Sequence, residues 1–396
     1  MFVLRSVFER RTTEQRTKNT EQGVSMYNNP LNQLSGFGQS FWLDYIRRDF
    51  ITGGLLKKMI DEDGLCGMTS NPAIFEKALS GSAYYDEDIR ILGHNGMDEK
   101  SVFELITVRD VQMAADVFMP VYENSGRRDG YVSLEINPHL ANDTLGSIEE
   151  ARRLWKSIDR KNVMIKIPAT KQGLIAVTEL TREGINVNCT LLFGLTAYKL
   201  AAQAYIDGIK GRLADGVNKE HPVSVASFFL SRIDSYIDPL LDNIIQQGGD
   251  EAARAGEVLG ETAAACSKKA YQVFKEMFGT EKFGALAGKG VLPQRLLWAS
   301  TGAKNPAHSV IKYVEGFIGR DTINTMPPGT VDAYRAKGRP EACLEKDIYK
   351  AAKVLSRLSQ LGIDIELAAQ QLEEQGLDKF NEPYDRIMEI IRKKSR

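Results

Sequence analysis

From residue 40 to about residue 327, short runs of apolar and β-branched residues alternate with longer segments of helical pattern. Strands that alternate with helices pair in parallel, because parallel neighbours need a crossover connection, which is usually a helix. Eight such units in about 290 residues fit a closed (β/α)8 TIM barrel of the α/β class. An open doubly wound sheet is the alternative, but it requires a glycine-rich turn after the first strand, and none is present. The predicted strands are 40–45, 65–69, 131–136, 163–168, 185–190, 223–228, 295–300 and 322–326.

The two ends of the chain lie outside this alternating pattern. Residues 1–25 are basic and polar without a sustained apolar segment, so they are predicted to be a disordered tail rather than a secretory signal. A transit peptide is the alternative, which the glutamates of this stretch disfavour. Residues 26–396 are predicted to form a single barrel domain, with residues 341–396 as a helical C-terminal appendage. Within the barrel, one helix is predicted to begin at Ser147, where capping-box spacing occurs.

The charge balance and the cysteines limit the class of partner and the compartment. The 51 lysines and arginines nearly match the 52 aspartates and glutamates, so the chain has no global attraction for nucleic acid or an anionic membrane. No apolar run reaches the roughly 20 residues of a membrane helix. The four cysteines are widely separated, which favours a reducing, cytoplasmic environment. Whether the chain forms a homo-oligomer stays open.

A lysine lies in one of the most apolar predicted strands. Side chains alternate between the two faces of a strand, so Lys166 lies opposite Val163, Ile165 and Ile167. Polar residues near the carboxyl ends of barrel strands are typical of active sites. Burial favours the neutral form of an amine, and a neutral amine can attack a carbonyl group. The alternative for Lys166 is a structural ion-pair partner, or a residue at the strand edge whose amine snorkels to solvent.

Two neighbouring strands repeat this pattern of a polar face. Asn186, Asn188 and Thr190 share one face of the run 185–190, and Glu135 lies on the polar face of the run 131–136. Three polar residues on one face are difficult to explain as core in a strand that is buried on both sides. Glu135 alone could be a rim carboxylate, but its coincidence with the other polar faces favours a shared site.

The first two strands end in polar residues. Asp44 lies among apolar neighbours at the end of the first strand, and Thr69 and Asn71 follow the second. These residues are further candidates for the site. A helix N-cap is the alternative for Asp44, and an ordinary Asn-Pro turn is the alternative for Asn71.

Two later strands are followed by cations. Ser227 precedes Arg232 by five residues, and Ser300 and Lys304 flank a glycine-containing turn that leads into a helix predicted at about residue 306. A hydroxyl, a cation and the free N–H groups of a helix N-terminus together suit a phosphate group. Arg232 alone would more often be a surface residue.

Several other chemistries lack their sequence signals. The four histidines are dispersed without ligand spacing, which disfavours a metal-dependent aldolase. The glycine-rich stretch 284–290 has the wrong spacing for a nucleotide-binding P-loop, and no dinucleotide or GxSxG motif is present. Carbonyl chemistry that depends on a lysine and needs no metal remains.

Six motifs, taken together and in this order, closely resemble those of the transaldolases. The resemblance extends from about residue 28 to the C-terminus and is greatest with the longer bacterial and plant-type branch. The motifs are MTSNPAIF (68–75), YVSLEINPHLANDT (131–144), VMIKIPAT (163–170), GINVNCTLLF (184–193), VSVASFFLSRID (223–234) and LLWASTGAKNP (296–306).

This resemblance implies a (β/α)8 barrel without a metal or organic cofactor, and sugar phosphates as its partners. The implied reaction, part of the non-oxidative pentose phosphate pathway, transfers a dihydroxyacetone unit from sedoheptulose 7-phosphate to glyceraldehyde 3-phosphate. By motif, Lys166 matches the Schiff-base nucleophile and Asp44 the acid/base, while Glu135 and Thr190 match the pair that positions a catalytic water.

The same resemblance implies a set of substrate-binding residues. Asn71 and Asn188 match amides that hold substrate hydroxyl groups, and Ser227 and Arg232 match phosphate ligands. Other branches have an arginine where this chain has Lys304. Thr69 and Ser300 complete the expected substrate-binding set.

Two alternatives to transaldolase share the same fold. One is a Schiff-base fructose-6-phosphate aldolase, which would release free dihydroxyacetone; those relatives are typically much shorter. The other is a non-catalytic sugar-phosphate-binding barrel, which would need neither the lysine nor the two carboxylates.

Overall fold

Eight parallel strands close into a barrel in the computed structural model, which describes residues 29–396. The strands follow one another around the barrel in chain order, and β8 pairs with β1. All eight predicted strands are confirmed, with bounds that differ from the prediction by no more than two residues. They are β1 (Gln39–Asp44), β2 (Gly67–Thr69), β3 (Tyr131–Glu135), β4 (Val163–Pro168), β5 (Val187–Leu192), β6 (Ser224–Phe229), β7 (Arg295–Ala299) and β8 (Thr322–Met326).

Helices connect the strands and cover the barrel, as parallel pairing requires. The tail predicted for residues 1–25 lies outside the described residues. The helices up to β6 are α1 (Pro30–Gln33), α2 (Arg48–Thr52), α3 (Leu55–Asp63), α4 (Pro72–Ser80), α5 (Asp86–His94), α6 (Glu99–Asn124), α7 (Thr144–Ile158), α8 (Lys171–Glu183) and α9 (Leu195–Ala214). The later helices are α10 (Ser231–Gln247), α11 (Gly249–Gly256), α12 (Thr262–Phe278), α13 (Thr280–Ala287), α14 (Lys312–Glu315), α15 (Pro328–Lys337), α16 (Ile348–Gln360) and α17 (Ile365–Lys394).

The predicted start of α7 at Ser147 is wrong by one turn. The helix begins at Thr144, and the Asp143 carboxylate caps it by accepting a hydrogen bond from the Gly146 amide at 3.0 Å. The Ser147 hydroxyl instead donates to the Leu140 carbonyl oxygen at 2.8 Å. Because aspartate caps a helix as well as serine does, spacing alone could not choose between the two positions.

The amino end of the barrel is closed by a buried ion pair. The Arg295 guanidinium at the start of β7 lies 2.8 Å from the Asp129 carboxylate. That carboxylate also accepts hydrogen bonds from the Ser40 hydroxyl at 2.8 Å and from the Trp42 indole N–H at 3.0 Å. A satisfied, buried network of this kind fixes the barrel floor, so an open site is expected at the opposite, carboxyl end.

The C-terminal helices that the sequence predicts are present, and α17 lies against the carboxyl end of the barrel. The Glu366 carboxylate accepts hydrogen bonds from the backbone N–H groups of Leu195 and Thr196, at 3.1 and 3.3 Å. It therefore caps α9, whose own N-cap residue, Gly194, has no side chain to do so. This contact anchors the start of α17 beside the mouth of the barrel.

A glycine allows close approach further along α17. Leu191 lies in a bulge of β5 with φ of +62°, and its side chain meets the backbone of Gly376. A Cβ atom at position 376 would lie 3.1 Å from Leu191 Cδ2, which is tighter than an ordinary contact. Gly376 thus allows α17 to pack closely on the barrel. The residues one turn later, Lys379 and Phe380, lie at the carboxyl end of the barrel.

No helix within residues 29–396 combines the length and the apolar character that a membrane crossing requires.

Candidate active site

A cavity of about 450 Å³ opens at the carboxyl end of the barrel. Three of the predicted site residues, Glu135, Asn188 and Thr190, are not part of its lining, but strand register places them beside it. Glu135 is level with Lys166 across β3 and β4, and Asn188 is level with Lys166 across β4 and β5. The predicted residues that line the cavity are Asp44, Thr69, Asn71, Lys166, Ser227, Arg232, Ser300 and Lys304.

Lys166 reaches the cavity from the middle of β4. Its side chain is only 5% exposed, and its Nζ lies 3.6 Å from Oε2 of Glu135. Nζ also donates a hydrogen bond to the Ser70 carbonyl oxygen at 3.2 Å. The amine therefore has two polar neighbours, and Lys166 is also among the residues that line the cavity.

Glu135 is a buried carboxyl group with a raised pKa. Both of its oxygens are inaccessible to solvent, and neither has a hydrogen-bond partner among the described residues. Burial raises the pKa of Glu135 to about 7, although the positive charge of Lys166 opposes the shift. A group with this pKa can both accept and donate a proton near neutral pH.

Asp44 projects from the end of β1 into a chain of hydroxyl groups. The Thr69 hydroxyl donates to Asp44 Oδ1 at 2.7 Å, and the Thr325 hydroxyl lies 2.7 Å from that of Thr69. Burial raises the pKa of Asp44, and the charge of Lys166 is the largest opposing influence. Asp44 does not cap a helix, because α2 begins at Arg48 and has Arg47 at its N-cap position.

Asn188 is held between two serine hydroxyl groups. Its Nδ2 donates to Ser133 Oγ at 3.1 Å, and its Oδ1 accepts from Ser227 Oγ at 2.7 Å. All three side chains are buried, so the orientation of the amide is fixed. Ser227 also lines the cavity and connects this network to it.

Thr190 and Asn71 differ in how their polar atoms are used. The Thr190 hydroxyl is buried and has no hydrogen-bond partner among the described residues. An unpaired buried hydroxyl is costly, so it suits a bound water or substrate. Asn71 caps α4 by accepting a hydrogen bond from the Ile74 amide at 3.1 Å, and it also lines the cavity. The turn interpretation and the site interpretation of Asn71 are therefore compatible.

Two cations and a serine form the far wall of the cavity. Arg232 lies in the first turn of α10, and burial lowers its pKa. Desolvation also lowers the pKa of Lys304, and repulsion from Arg232 lowers it further. The Ser300 hydroxyl lies 2.9 Å from that of Ser231. This wall therefore offers positive charge and hydroxyl groups to an anion.

The helix predicted at about residue 306 is absent. Turns continue through that stretch, and the next helix, α14, begins only at Lys312. The helix N-terminus beside Ser300 belongs instead to α10, and the Ser231 backbone N–H donates to the Ser300 carbonyl oxygen at 3.1 Å. Asn305 and Pro306 are common in turns as well as at helix starts, so the pattern could not distinguish them.

Among the lining residues that were not predicted from the sequence, one aromatic side chain and three cations stand out. The Phe380 ring is 3% exposed, and its centroid lies 5.4 Å from Lys166 Nζ and 6.0 Å from the Arg232 guanidinium carbon. The others are Arg47, Lys77 and Lys379. Of these, Arg47 is paired with Asp49 at 2.5 Å. No sequence motif marks Phe380 or Lys379, since both reach the site only through the packing of α17.

Comparison with known proteins agrees with this geometry. The family model described as transaldolase/fructose-6-phosphate aldolase matches residues 41–391, which is most of the chain. The chain belongs to this family. The transaldolase/fructose-6-phosphate aldolase match spans all eight strands except the first two residues of β1, and it extends into α17.

Curated relatives in the transaldolase family resemble the chain over nearly their whole length. A transaldolase of Trichodesmium erythraeum is 43% identical over 93% of this chain and 98% of its own length. Transaldolase 2 of Nostoc punctiforme is 42% identical over the same shares. A transaldolase of Thiobacillus denitrificans is 42% identical over 90% of this chain and 98% of its own. The family predicted from the six motifs is confirmed.

One group of potential metal ligands lies outside the cavity of this transaldolase-family chain. Asp234, Asp238 and His308 each offer a ligand atom, and these atoms lie within 4.8 Å of one another. The sequence spacing of the histidines did not indicate this cluster. The Lys312 ammonium already occupies it, donating to Asp234 Oδ2 and to the Gly260 carbonyl oxygen at 2.8 Å each. A fixed ammonium ion there supplies the positive charge that the carboxylates need.

Proposed function

We propose that the chain is a transaldolase that carries a dihydroxyacetone unit on Lys166 as a Schiff base. The unit passes from sedoheptulose 7-phosphate to glyceraldehyde 3-phosphate and yields erythrose 4-phosphate and fructose 6-phosphate. The observation that carries this proposal is a buried amine beside one carboxyl group with a pKa of about 7, in a cavity that a second carboxyl group lines.

Imine formation is the first chemical step. The neutral amine of Lys166 attacks the C2 carbonyl carbon of the ketose, and the resulting carbinolamine must lose its hydroxyl group as water. Glu135 lies 3.6 Å from the amine, and near pH 7 it can deliver the proton that this step needs. The unpaired hydroxyl of Thr190 is suited to hold the water that relays this proton.

Cleavage of the C3–C4 bond follows. The positively charged imine accepts the electron pair of the breaking bond and becomes an enamine, and the C4 hydroxyl loses its proton as the aldehyde forms. Asp44 takes that proton as a carboxylate, and Thr69 orients it with a hydrogen bond of 2.7 Å. When the enamine attacks the acceptor aldehyde, Asp44 returns the proton to the new hydroxyl group. The cycle therefore consumes no net proton.

Transfer requires that the enamine survive until the acceptor arrives. Protonation of the enamine, followed by hydrolysis, would release free dihydroxyacetone instead. The Phe380 ring lies over the Nζ atom of Lys166 on the α17 side, where it limits the access of water to the intermediate bound there. Because α17 contributes Phe380 and Lys379 to the cavity, we also propose that residues 26–396 act as a single domain.

Binding at the phosphate end uses the far wall of the cavity. Arg232 and Lys304 supply the charge, while Ser300 and Ser227 supply hydroxyl groups. In this proposal Asn71 and Asn188 hold sugar hydroxyl groups, as the family motifs imply. The scheme uses no metal or organic cofactor, and the free thiols of all four cysteines support a reducing compartment such as the cytoplasm.

One assay separates transaldolase from its alternatives. The purified chain receives sedoheptulose 7-phosphate with and without glyceraldehyde 3-phosphate, and the yields of fructose 6-phosphate and of free dihydroxyacetone are measured. We expect transfer to dominate when the acceptor is present. Predominant release of dihydroxyacetone would instead identify an aldolase, and binding without turnover would identify a non-catalytic barrel.

A further inference from the structure

The cavity wall is rich in positive charge. Lys77 and Lys379 line the cavity together with Arg232 and Lys304, and Asp44 is the single carboxylate in its lining. Within residues 29–396, none of these four cations has a carboxylate within ion-pair distance. Unpaired cations that repel one another are unfavourable unless an anion joins them.

The four cations fall into an inner and an outer pair. The charges that act most strongly on Asp44 are those of Lys166, Lys304 and Arg232. Lys77 and Lys379 instead act on Lys304, where they help to lower its pKa. Lys77 and Lys379 are exposed, as is Lys304, whereas Arg232 is partly buried. Lys77 and Lys379 therefore lie nearer to solvent than Arg232, with Lys304 as the cation that links them to the inner end of the cavity.

Two packed helices hold the outer pair together. Lys77 belongs to α4 and Lys379 to α17, and these helices pack against each other. Beside Lys77, the Glu76 carboxylate forms an ion pair with Arg386 at 2.6 Å. Arg386 follows Lys379 by seven residues, which is two helical turns, so both lie on the same face of α17. This ion pair joins the two helices without using the amines of Lys77 and Lys379, and both lysines line the same cavity.

We propose that Lys77 and Lys379 form an outer phosphate subsite that favours the longer of the two sugar phosphates. This inference rests on the proposed function. With C2 bound to Lys166, the phosphate of a seven-carbon ketose lies farther out than that of a six-carbon ketose by one carbon–carbon bond, roughly 1.5 Å. The inner pair of Arg232 and Lys304 contacts both phosphates, and the outer pair contacts mainly the seven-carbon phosphate.

Substitution of the outer lysines tests this assignment with an internal control. The variants are Lys77→Gln, Lys379→Gln and the double variant. For each variant, kcat/KM is measured separately for all four substrates, in the two directions of the net reaction. The seven-carbon donor and the four-carbon acceptor share one phosphate position and form the first pair. The six-carbon donor and the three-carbon acceptor share the other position and form the second pair.

We expect each single variant to lose about fivefold in kcat/KM with the first pair of substrates, the effect of roughly 1 kcal/mol. With the second pair, the change stays within about twofold. Lys379→Arg keeps the charge and retains the parent value with both pairs. Lys393→Gln removes an exposed charge elsewhere on α17, where Lys393 faces Glu389, and it leaves all four values unchanged.

Two results would overturn the subsite while leaving the proposed function intact. One is an equal loss with both pairs of substrates, and the other is no loss with either pair. If the parent chain transferred no dihydroxyacetone unit at all, the proposed function itself would fail, and the subsite would fail with it.

Discussion

The Phe380 ring of the last helix lies 5.4 Å from the amine of Lys166 on the fourth strand, although 214 residues separate the two in the chain. The same ring lies 6.0 Å from the guanidinium carbon of Arg232. One apolar side chain thus covers both the proposed nucleophile and a proposed phosphate ligand. An enamine intermediate needs such cover, because water at Lys166 would divert transfer into release.

Replacing Phe380 by leucine is expected to increase the release of free dihydroxyacetone relative to transfer. The smaller side chain leaves more room for water beside the enamine, so the ratio of release to transfer should rise roughly two- to fivefold, which corresponds to about 0.5–1 kcal/mol. Leucine keeps the site apolar and limits the loss of packing. Leu372→Ile, a buried change elsewhere on α17, serves as the control and should leave the ratio unchanged. An unchanged ratio in Phe380→Leu would show that the ring does not protect the intermediate.

Asp44→Asn should separate imine formation from carbon–carbon cleavage. Removing a positioned acid/base group typically slows the affected step by about 10²–10⁴-fold, and we expect kcat to fall within that range. Borohydride trapping of the donor on Lys166 should persist, since Asp44 takes no part in that step. Thr69→Val removes only the hydrogen bond to Asp44 and should cause a smaller loss. Normal turnover in Asp44→Asn would exclude the acid/base role.

Glu135 should make the stability of the fold depend on pH. Its pKa rises from 4.5, the ordinary value of a glutamate, to about 7 in the folded chain. Between these values the folded state binds more protons than the unfolded state, so the free energy of unfolding falls as pH rises through this window. In Glu135→Gln this contribution is absent, and the decrease should be shallower.

Urea unfolding of the parent chain and Glu135→Gln at pH 5, 6, 7 and 8 measures this difference. If plots of the free energy of unfolding against pH were parallel for the two proteins, this would contradict the raised pKa of Glu135. The same variant should form the trapped imine more slowly at pH 7, because the group that transfers the proton is gone.

Arg232→Gln should weaken the binding of phosphorylated sugars in particular. Hydrogen bonds to charged groups contribute about 1.5–3 kcal/mol, so KM for fructose 6-phosphate should rise by roughly 10- to 100-fold. Unphosphorylated fructose, used as a poor donor at high concentration, is the matched control, and its kcat/KM should change little. Equal losses with both donors would place the phosphate elsewhere in the cavity.

The strands and the inward face of β4 could be predicted because strand periodicity depends only on neighbouring residues. Lys166 stands opposite Val163, Ile165 and Ile167, and a barrel must bury those three against its helices. The register then brings Glu135 and Asn188 level with Lys166, as their polar faces indicated. Their catalytic and binding roles stay predictions until the variants are measured.

The remaining parts of the site depend on contacts between distant segments. Phe380 and Lys379 join the cavity through the packing of α17 on the barrel, where Gly376 closely approaches Leu191, and no local sequence pattern indicates that approach. His308 likewise meets Asp234 through the fold rather than through sequence spacing. The predicted start of α7 was wrong because aspartate and serine cap a helix equally well, so the sequence could not decide between Asp143 and Ser147.

Reduction of the complex with fructose 6-phosphate by borohydride tests the central claim most directly. Borohydride converts an imine into a stable secondary amine, and peptide mass spectrometry locates the modified lysine. We predict a single label on Lys166 in the parent chain and none on that peptide in Lys166→Arg. A label on another lysine, or no label during active turnover, would contradict Schiff-base catalysis by Lys166.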